Sequence, residues 1–157
     1  ADAVSNFQVP EHRLQKVAEV NGVTYINDSK ATNLDAMIKA IKCSAEGKKR
    51  KIILIAGGEA KGCSFKEAKS TLMMYVKLVL AIGKNRQELA SLWSEAVKIK
   101  TCETFAQACE NAEAAANPGD TVLLSPACAS FDMFDDYKQR GQIFIDFVNK
   151  LKRSNPK

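Results

Sequence analysis

Three short apolar runs constrain this chain most: Lys51-Ile-Ile-Leu-Ile-Ala56, residues 79–82 and residues 120–124. Apolar side chains follow one another there without polar alternation, as in strands covered on both faces. Each run stops at small or turn-forming residues, namely Gly57-Gly58, Gly83 and Ser125-Pro126. Helical patterns separate them. Leu34, Met37, Ile38 and Ile41 recur at spacings of three and four. Ser64 and Glu67 fit a capping box and predict a helix starting near Ser64. A further helix is expected over residues 87–97, then a short strand over residues 98–101. Thr104 and Gln107 repeat the capping pattern and open an alanine-rich helix that stops before Pro118-Gly119. A last helix is expected over residues 131–151, with Phe134, Phe144 and Phe147 among its apolar positions. Ahead of all these, residues 16–20 and 23–26 flank Asn21-Gly22, a strong hairpin signal. The order predicts an α/β fold: a Rossmann-like, doubly wound, mostly parallel sheet with one antiparallel strand from the N-terminal hairpin.

At 157 residues the chain suits a single domain with one core, taken as residues 1–157. No stretch approaches the roughly 18 apolar residues of a membrane span, and residues 1–8 lack the features of a signal peptide. Five cysteines, none in a C-x-x-C pair, fit reduced thiols in the cytoplasm. Cys128 is expected to serve in packing, since no neighbouring base activates it. The lone histidine, His12, leaves no zinc-ligand spacing and argues against a Ser-His triad. Net charge is +5, part of it in Lys48-Lys-Arg-Lys51. That run reads as a solvated turn, because no aromatic residues interleave with it as nucleic-acid binding would favour.

In a sheet of this kind ligands bind at the carboxyl ends of the strands. Three loops are expected to gather there: residues 27–33, 57–64 and 125–130. The first lies in Tyr25-Ile-Asn-Asp-Ser-Lys-Ala-Thr-Asn33, where a strand ends and a helix begins. Asp28 offers an acceptor and Lys30 a cation, while Ser29, Thr32 and Asn33 offer short polar groups. That mixture suits an anionic ligand that also carries hydroxyls or an amine, although Asp28 and Lys30 also fit an exposed pair beside a turn. Gly57-Gly-Glu-Ala-Lys-Gly62 is not a phosphate loop, because Cys63 stands where that pattern requires lysine. Lys61 suits a carboxylate or phosphate, or is a solvated lysine of the turn. The third loop is rich in small residues. Its Ser130 suits a ligand or the N-cap of the last helix. Asp132, Asp135 and Asp136 are expected to point away from any anion there. The dinucleotide fingerprint G-x-G-x-x-G is absent, which argues against an oxidoreductase on this sheet.

His12-Arg13-Leu14, Asn21-Gly-Val23, the residue 25–33 string, Gly57-Gly58 with Lys61, and Leu124-Ser-Pro-Ala-Cys-Ala-Ser130 with Arg140-Gly141 together resemble the C-terminal domain of the Mur ligases. The likeness is nearest to the D-glutamate-adding branch and runs from about residue 9 to residue 150. It implies ATP-dependent amide formation in peptidoglycan precursor synthesis, with ATP, magnesium, D-glutamate and UDP-N-acetylmuramoyl-L-alanine as small-molecule partners. It further implies nucleotide contacts at Arg13 and Asp28, and D-glutamate contacts at Lys30, Thr32, Lys61, Ser130, Phe131 and Tyr137. Tyr137 departs from the family's usual phenylalanine. The family's central ATPase domain, with its G-K-[ST] loop and magnesium ligands, and its UDP-binding domain are missing from this chain. The isolated chain is therefore expected to be an inactive, monomeric domain of a cytoplasmic enzyme, with no nucleic-acid or membrane partner. A stand-alone binding module for an acidic metabolite is the alternative.

Overall fold

The computed structural model describes residues 10–59 and 64–155. The Asn21-Gly22 turn has both residues at positive φ, 53° and 80°, which joins two antiparallel strands with the twist a two-residue hairpin needs. These are β1 (Gln15–Val20) and β2 (Val23–Asn27), paired from Val20 opposite Val23 outward, with an irregularity between Lys16 and Ala18. The remaining strands are β3 (Ile52–Gly57), β4 (Val76–Ile82), β5 (Ile99–Thr101) and β6 (Thr121–Leu124). The sheet order is β1-β2-β6-β3-β4-β5, and every pairing except β1 with β2 is parallel. The doubly wound sheet with one antiparallel element is therefore the observed fold.

Among the described residues, five α-helices cover the sheet: α1 (Leu34–Ala45), α2 (Lys69–Tyr75), α3 (Arg86–Trp93), α4 (Phe105–Ala115) and α5 (Tyr137–Ser154). β3 shows why its sequence does not alternate. Ile52, Leu54 and Ala56 pack with Leu34, Met37, Ile41, Leu72, Leu89 and Trp93 of α1, α2 and α3. Ile53 and Ile55 pack on the other face with Phe105, Ala108, Phe144 and Val148 of α4 and α5. Successive residues of a strand point to opposite faces, so burial on both sides demands an unbroken apolar run.

Several element boundaries differ from expectation. Ser64 does not cap a helix. A short 3₁₀ turn (Lys66–Ala68) precedes α2, and neither Phe65 nor Ala68 caps through its side chain. The Ser64–Glu67 pattern gave way because Phe65 is needed in the core, where its ring meets Trp93 edge-on at 6.1 Å. β4 begins at Val76, three residues before the expected start, directly from the end of α2. α3 ends at Trp93 rather than Val97; the Trp93 indole N–H donates to the Phe65 carbonyl at 2.9 Å. The last helix begins at Tyr137, not Phe131, because Asp136 is its N-cap and accepts from the Gln139 N–H at 2.8 Å. The Thr104 cap does form, with Thr104 Oγ1 accepting from Gln107 N–H at 3.0 Å. The Gln107 side chain reaches back to the Glu103 N–H at 2.8 Å, one residue beyond the usual box.

Candidate functional site

β6 lies between β2 and β3, so the loop after it sits between the loops after its two neighbours. It also leads to α5 on one face of the sheet, while β2 and β3 lead to α1 and α2 on the other. Diverging connections of this kind open the crevice in which α/β folds bind ligands.

Hydrogen bonds stitch the three loops together. Asp28 N–H donates to Leu124 O at 2.7 Å, and Ala127 N–H donates to Ala31 O at 2.9 Å. Gly57 N–H donates to Pro126 O at 2.9 Å, and Glu59 and Ala129 exchange two main-chain bonds at 3.0 and 3.1 Å. Asn85, in the turn between β4 and α3, accepts from Gly58 N–H at 2.9 Å and donates to Cys128 Sγ at 3.3 Å. Gly58 (φ 150°) and Gly83 (φ 81°) admit this approach: a Cβ on Gly58 would meet Ala129 O at 2.4 Å, and one on Gly83 would meet the Gly58 Cα at 2.5 Å. The amides of Gly57, Gly58 and Glu59 are thus spent on the protein itself. These three amides are therefore not open to a phosphate.

On the β2 side a cleft of about 390 Å³ opens beside this seam. Arg13, Leu14, Asp28, Lys30, Asn33, and Lys39 are among its lining residues. Asp28 is buried, which excludes the exposed-pair alternative. Its Oδ1 accepts from Leu14 N–H at 3.0 Å and its Oδ2 from the Ser125 hydroxyl at 2.7 Å. Burial raises its carboxyl above the ordinary value, while the bonds from Ser125 and Leu14 and the charge of Arg13 pull it back. A carboxylate has about four lone-pair positions, so two remain for a ligand. Lys30 is exposed, and its N–H donates to His12 O at 2.9 Å. His12 is buried; its Nδ1 meets the Asn27 Nδ2 at 2.9 Å, and its ring meets Tyr137 edge-on at 6.1 Å. Because Asn27 Nδ2 is a donor, the His12 Nδ1 is the accepting nitrogen in this pair.

The other expected site residues are distributed as follows. Thr32 is exposed on the β2 loop. Ser130 is buried on the β6 loop, where its carbonyl accepts from Met133 and Phe134 N–H; it caps this turn rather than α5. Phe131 is 69% exposed, the most open of the large apolar side chains among the described residues. Tyr137 is half-buried at the start of α5. Lys61 lies outside the described residues. Asp135 and Asp136 bond to Gln139, and Asp132 accepts from Lys84 N–H at 2.9 Å. Cys128 does more than fill space, since its sulfur accepts from Asn85. Asn85 and Lys39 carry no sequence signal of their own, and Ser125 lies in an expected rim loop without being singled out there; only the folded chain shows what each one meets. Among the described residues, no group of three His, Cys, Asp or Glu side chains is placed to hold a metal ion, and no helix is long and apolar enough to cross a membrane.

The family described as Mur ligase, glutamate ligase domain, matches residues 12–128. The UDP-N-acetylmuramoylalanine–D-glutamate ligase of Pseudomonas fluorescens Pf-5 is 41% identical over 149 residues, covering 95% of this chain and 33% of the relative. The enzyme of the same name from Acidobacterium capsulatum is 44% identical over 147 residues, covering 94% and 31%. The chain therefore spans about one third of the length of the curated relatives it matches. Two solved structures share the fold. The MurF ligase of Thermotoga maritima in complex with ADP gives a TM-score of 0.62 at 15% identity, covering 95% of this chain and 33% of that one. A domain of a Haemophilus ducreyi protein described as a UDP-N-acetylmuramate:L-alanyl-γ-D-glutamyl-meso-diaminopimelate ligase gives 0.60 at 16% identity, covering 90% of this chain and 98% of that one.

Proposed function

Because this chain belongs to the Mur ligase, glutamate ligase domain family, we propose that it is the amino-acid-binding domain of an ATP-dependent ligase that joins D-glutamate to UDP-N-acetylmuramoyl-L-alanine. The named activity of the 41–44% identical relatives supports this substrate pair. The remaining two thirds of such an enzyme would supply the ATPase and UDP-binding domains. The Haemophilus ducreyi structure, a separately solved domain of nearly the same extent, supports a unit of this size folding by itself.

The carrying observation is the cleft lined by Arg13, Asp28 and Lys30 and tied through Ser125 to the loop bearing Ser130. In the proposed reaction the L-alanine carboxylate oxygen takes the γ-phosphoryl group of ATP, and ADP leaves. The D-glutamate nitrogen, as the free amine, then attacks the acyl-phosphate carbon; the C–N bond forms, phosphate departs with the C–O electrons, and the nitrogen gives its extra proton to water. This domain's part is positioning and charge neutralisation. Arg13 and the two remaining lone-pair positions of Asp28 suit the phosphates and ribose hydroxyls of a nucleotide; the ADP in the Thermotoga maritima relative supports such a ligand. Lys30 and Lys61 supply cations, and Thr32 and Ser130 supply hydroxyls, for the two carboxylates of D-glutamate. Phe131 and Tyr137 would flank its carbon chain. Magnesium, held by the rest of the enzyme, would offset phosphate charge. The parent enzyme is proposed to be a cytoplasmic monomer, and the free thiols of Cys43, Cys102 and Cys109 agree with a reducing compartment.

Steady-state kinetics of the full-length ligase test this assignment. Lys61→Ala is expected to raise KM for D-glutamate about tenfold or more while leaving KM for ATP nearly unchanged. Asp28→Ala is expected to raise KM for ATP. Equal effects of Lys61→Ala on both substrates, or an unchanged ATP dependence in Asp28→Ala, would remove these residues from their assigned roles.

A further inference from the structure

Arg140 is 1% exposed, yet it sits one helical turn into α5 and close behind the candidate site. Its Nε donates to Ser29 Oγ at 2.8 Å, one terminal nitrogen to Ser29 O at 2.6 Å, and the other to Cys128 O at 3.2 Å. The Ser29 hydroxyl passes its own proton on, donating to Tyr137 O at 2.7 Å. One guanidinium therefore joins the β2 loop, the β6 loop and the start of α5. Ser29 stands between Asp28 and Lys30, and Cys128 stands two residues before Ser130. The next residue works on the same loop from another side. A Cβ on Gly141 would meet His12 Nδ1 at 2.2 Å, so glycine there makes room for the ring whose main-chain carbonyl receives Lys30 N–H.

The acceptors of Arg140 are neutral, and among the described residues it forms no ion pair. Burial lowers its pKa to about 10, partly offset by the charges of Cys128 and Asp132, so it remains a cation at neutral pH. A buried cation with no ion-pair partner is a costly way to hold a fold together, because its desolvation is only partly repaid by opposite charge. What it supplies is geometry. The guanidinium is planar with donors in a fixed fork, so acceptors on two loops are held at set positions relative to one another. A lysine ammonium at the same place imposes no such plane.

We propose that Arg140, acting through Ser29, is a positioning residue that holds the loop of Asp28 and Lys30 in register with the loop of Ser130, so that the amino-acid subsite stands preformed. This rests on the ligase assignment above. Without the clasp the Lys30 cation of one loop and the Ser130 hydroxyl of the other shift independently, and the penalty falls on the ligand that both loops grip.

The test uses the full-length ligase carrying Ser29→Ala or Arg140→Lys, with Lys61→Ala as control. Ser29→Ala removes one hydroxyl and keeps every main-chain acceptor. It is expected to raise KM for D-glutamate about tenfold, since small misplacements are amplified in binding geometry, with kcat changed by less than about threefold. Arg140→Lys is expected to do the same or more; if it does not fold, Ser29→Ala decides. A packing role alone would lower the melting temperature and leave KM for D-glutamate of the folded enzyme unchanged, and that result overturns the clasp. If Lys61→Ala raises this KM while both clasp variants leave it unchanged, the clasp is wrong and the ligase assignment stands. If the full-length protein shows no D-glutamate-dependent phosphate release from ATP, the ligase assignment fails and the clasp falls with it.

Discussion

Gly141 has no side chain because His12 occupies the space that one would need. The conflict is with a ring held by Asn27 and packed on Tyr137, so neither partner can move cheaply. Gly141→Ala is therefore expected to destabilise the chain by about 1–3 kcal/mol, the usual cost of overpacking a filled interior. An unchanged urea midpoint would show that His12 is free to yield. The cysteines separate as sharply. Cys109 is buried, and burial, then the nearby Glu110 and Cys102, push its thiol up to about 12. Its folded pKa lies above the unfolded one, so the protonated form is held and almost no thiolate exists at pH 8. Cys43 is exposed. Iodoacetamide at pH 8 is expected to modify Cys43 and spare Cys109 until denaturant is added, as read by peptide mass spectrometry. Equal labelling in the folded chain would contradict the burial. At this scale the sequence exposes chemistry better than geometry. Asp28 and Lys30 stand out as polar residues at a strand end, but that Asp28 spends two lone pairs on Leu14 and Ser125 depends on partners 14 and 97 positions away. Asn85 reaches Gly58 and Cys128 across gaps that no local pattern encodes.

Strands were the legible elements and helix starts the ambiguous ones. An apolar run between turn residues has one good solution when both faces of a sheet are covered, and β3, β4 and β6 adopt it. A capping pattern is only a local offer. Thr104 takes it, but Ser64 does not, because burying Phe65 against Trp93 sets the chain into a 3₁₀ turn first. The same competition delays α5: residues after Ser130 form a turn on its carbonyl, and Asp136 caps instead. The two serine/threonine caps thus make opposite predictions from similar sequences. Thr104→Ala should cost about 1 kcal/mol, the usual value of an N-cap hydroxyl. Ser64→Ala, exposed and without a cap to lose, should stay within about 0.5 kcal/mol. Parallel urea titrations decide between them, and a comparable loss for Ser64→Ala would mean that its capping box forms after all.

At the scale of the whole molecule, one sheet serves two cores, and neither core can persist without it. The first is packed by α1, α2 and α3 around Trp93, the second by α4 and α5 around Phe105 and Phe144. Adjacent residues of β3 belong to different cores, so detaching either helix layer exposes half of the same strand to water. The chain runs back and forth across this layer, because β6 enters last and pairs between β2 and β3. Completing the sheet therefore requires nearly the whole described chain. Such an architecture should unfold as a single unit. Trp93 is the chain's only tryptophan and lies fully buried in the first core, so its fluorescence reports that face. Tyr25 lies in the second, where burial and then Glu113 push its phenol up to about 12, two above the ordinary value of 10.0. A raised folded pKa favours the native state below pH 10 and loses that advantage as pH climbs through 12. In the native chain the Tyr25 tyrosinate absorbance should thus appear about two pH units late, and denaturant at pH 11 should release it together with the shift in Trp93 emission. Coincident midpoints establish that the two faces fail together. Release of Tyr25 at a denaturant concentration where Trp93 is still buried would show that α4 and α5 peel away first, and would break the link between the shared sheet and cooperative folding.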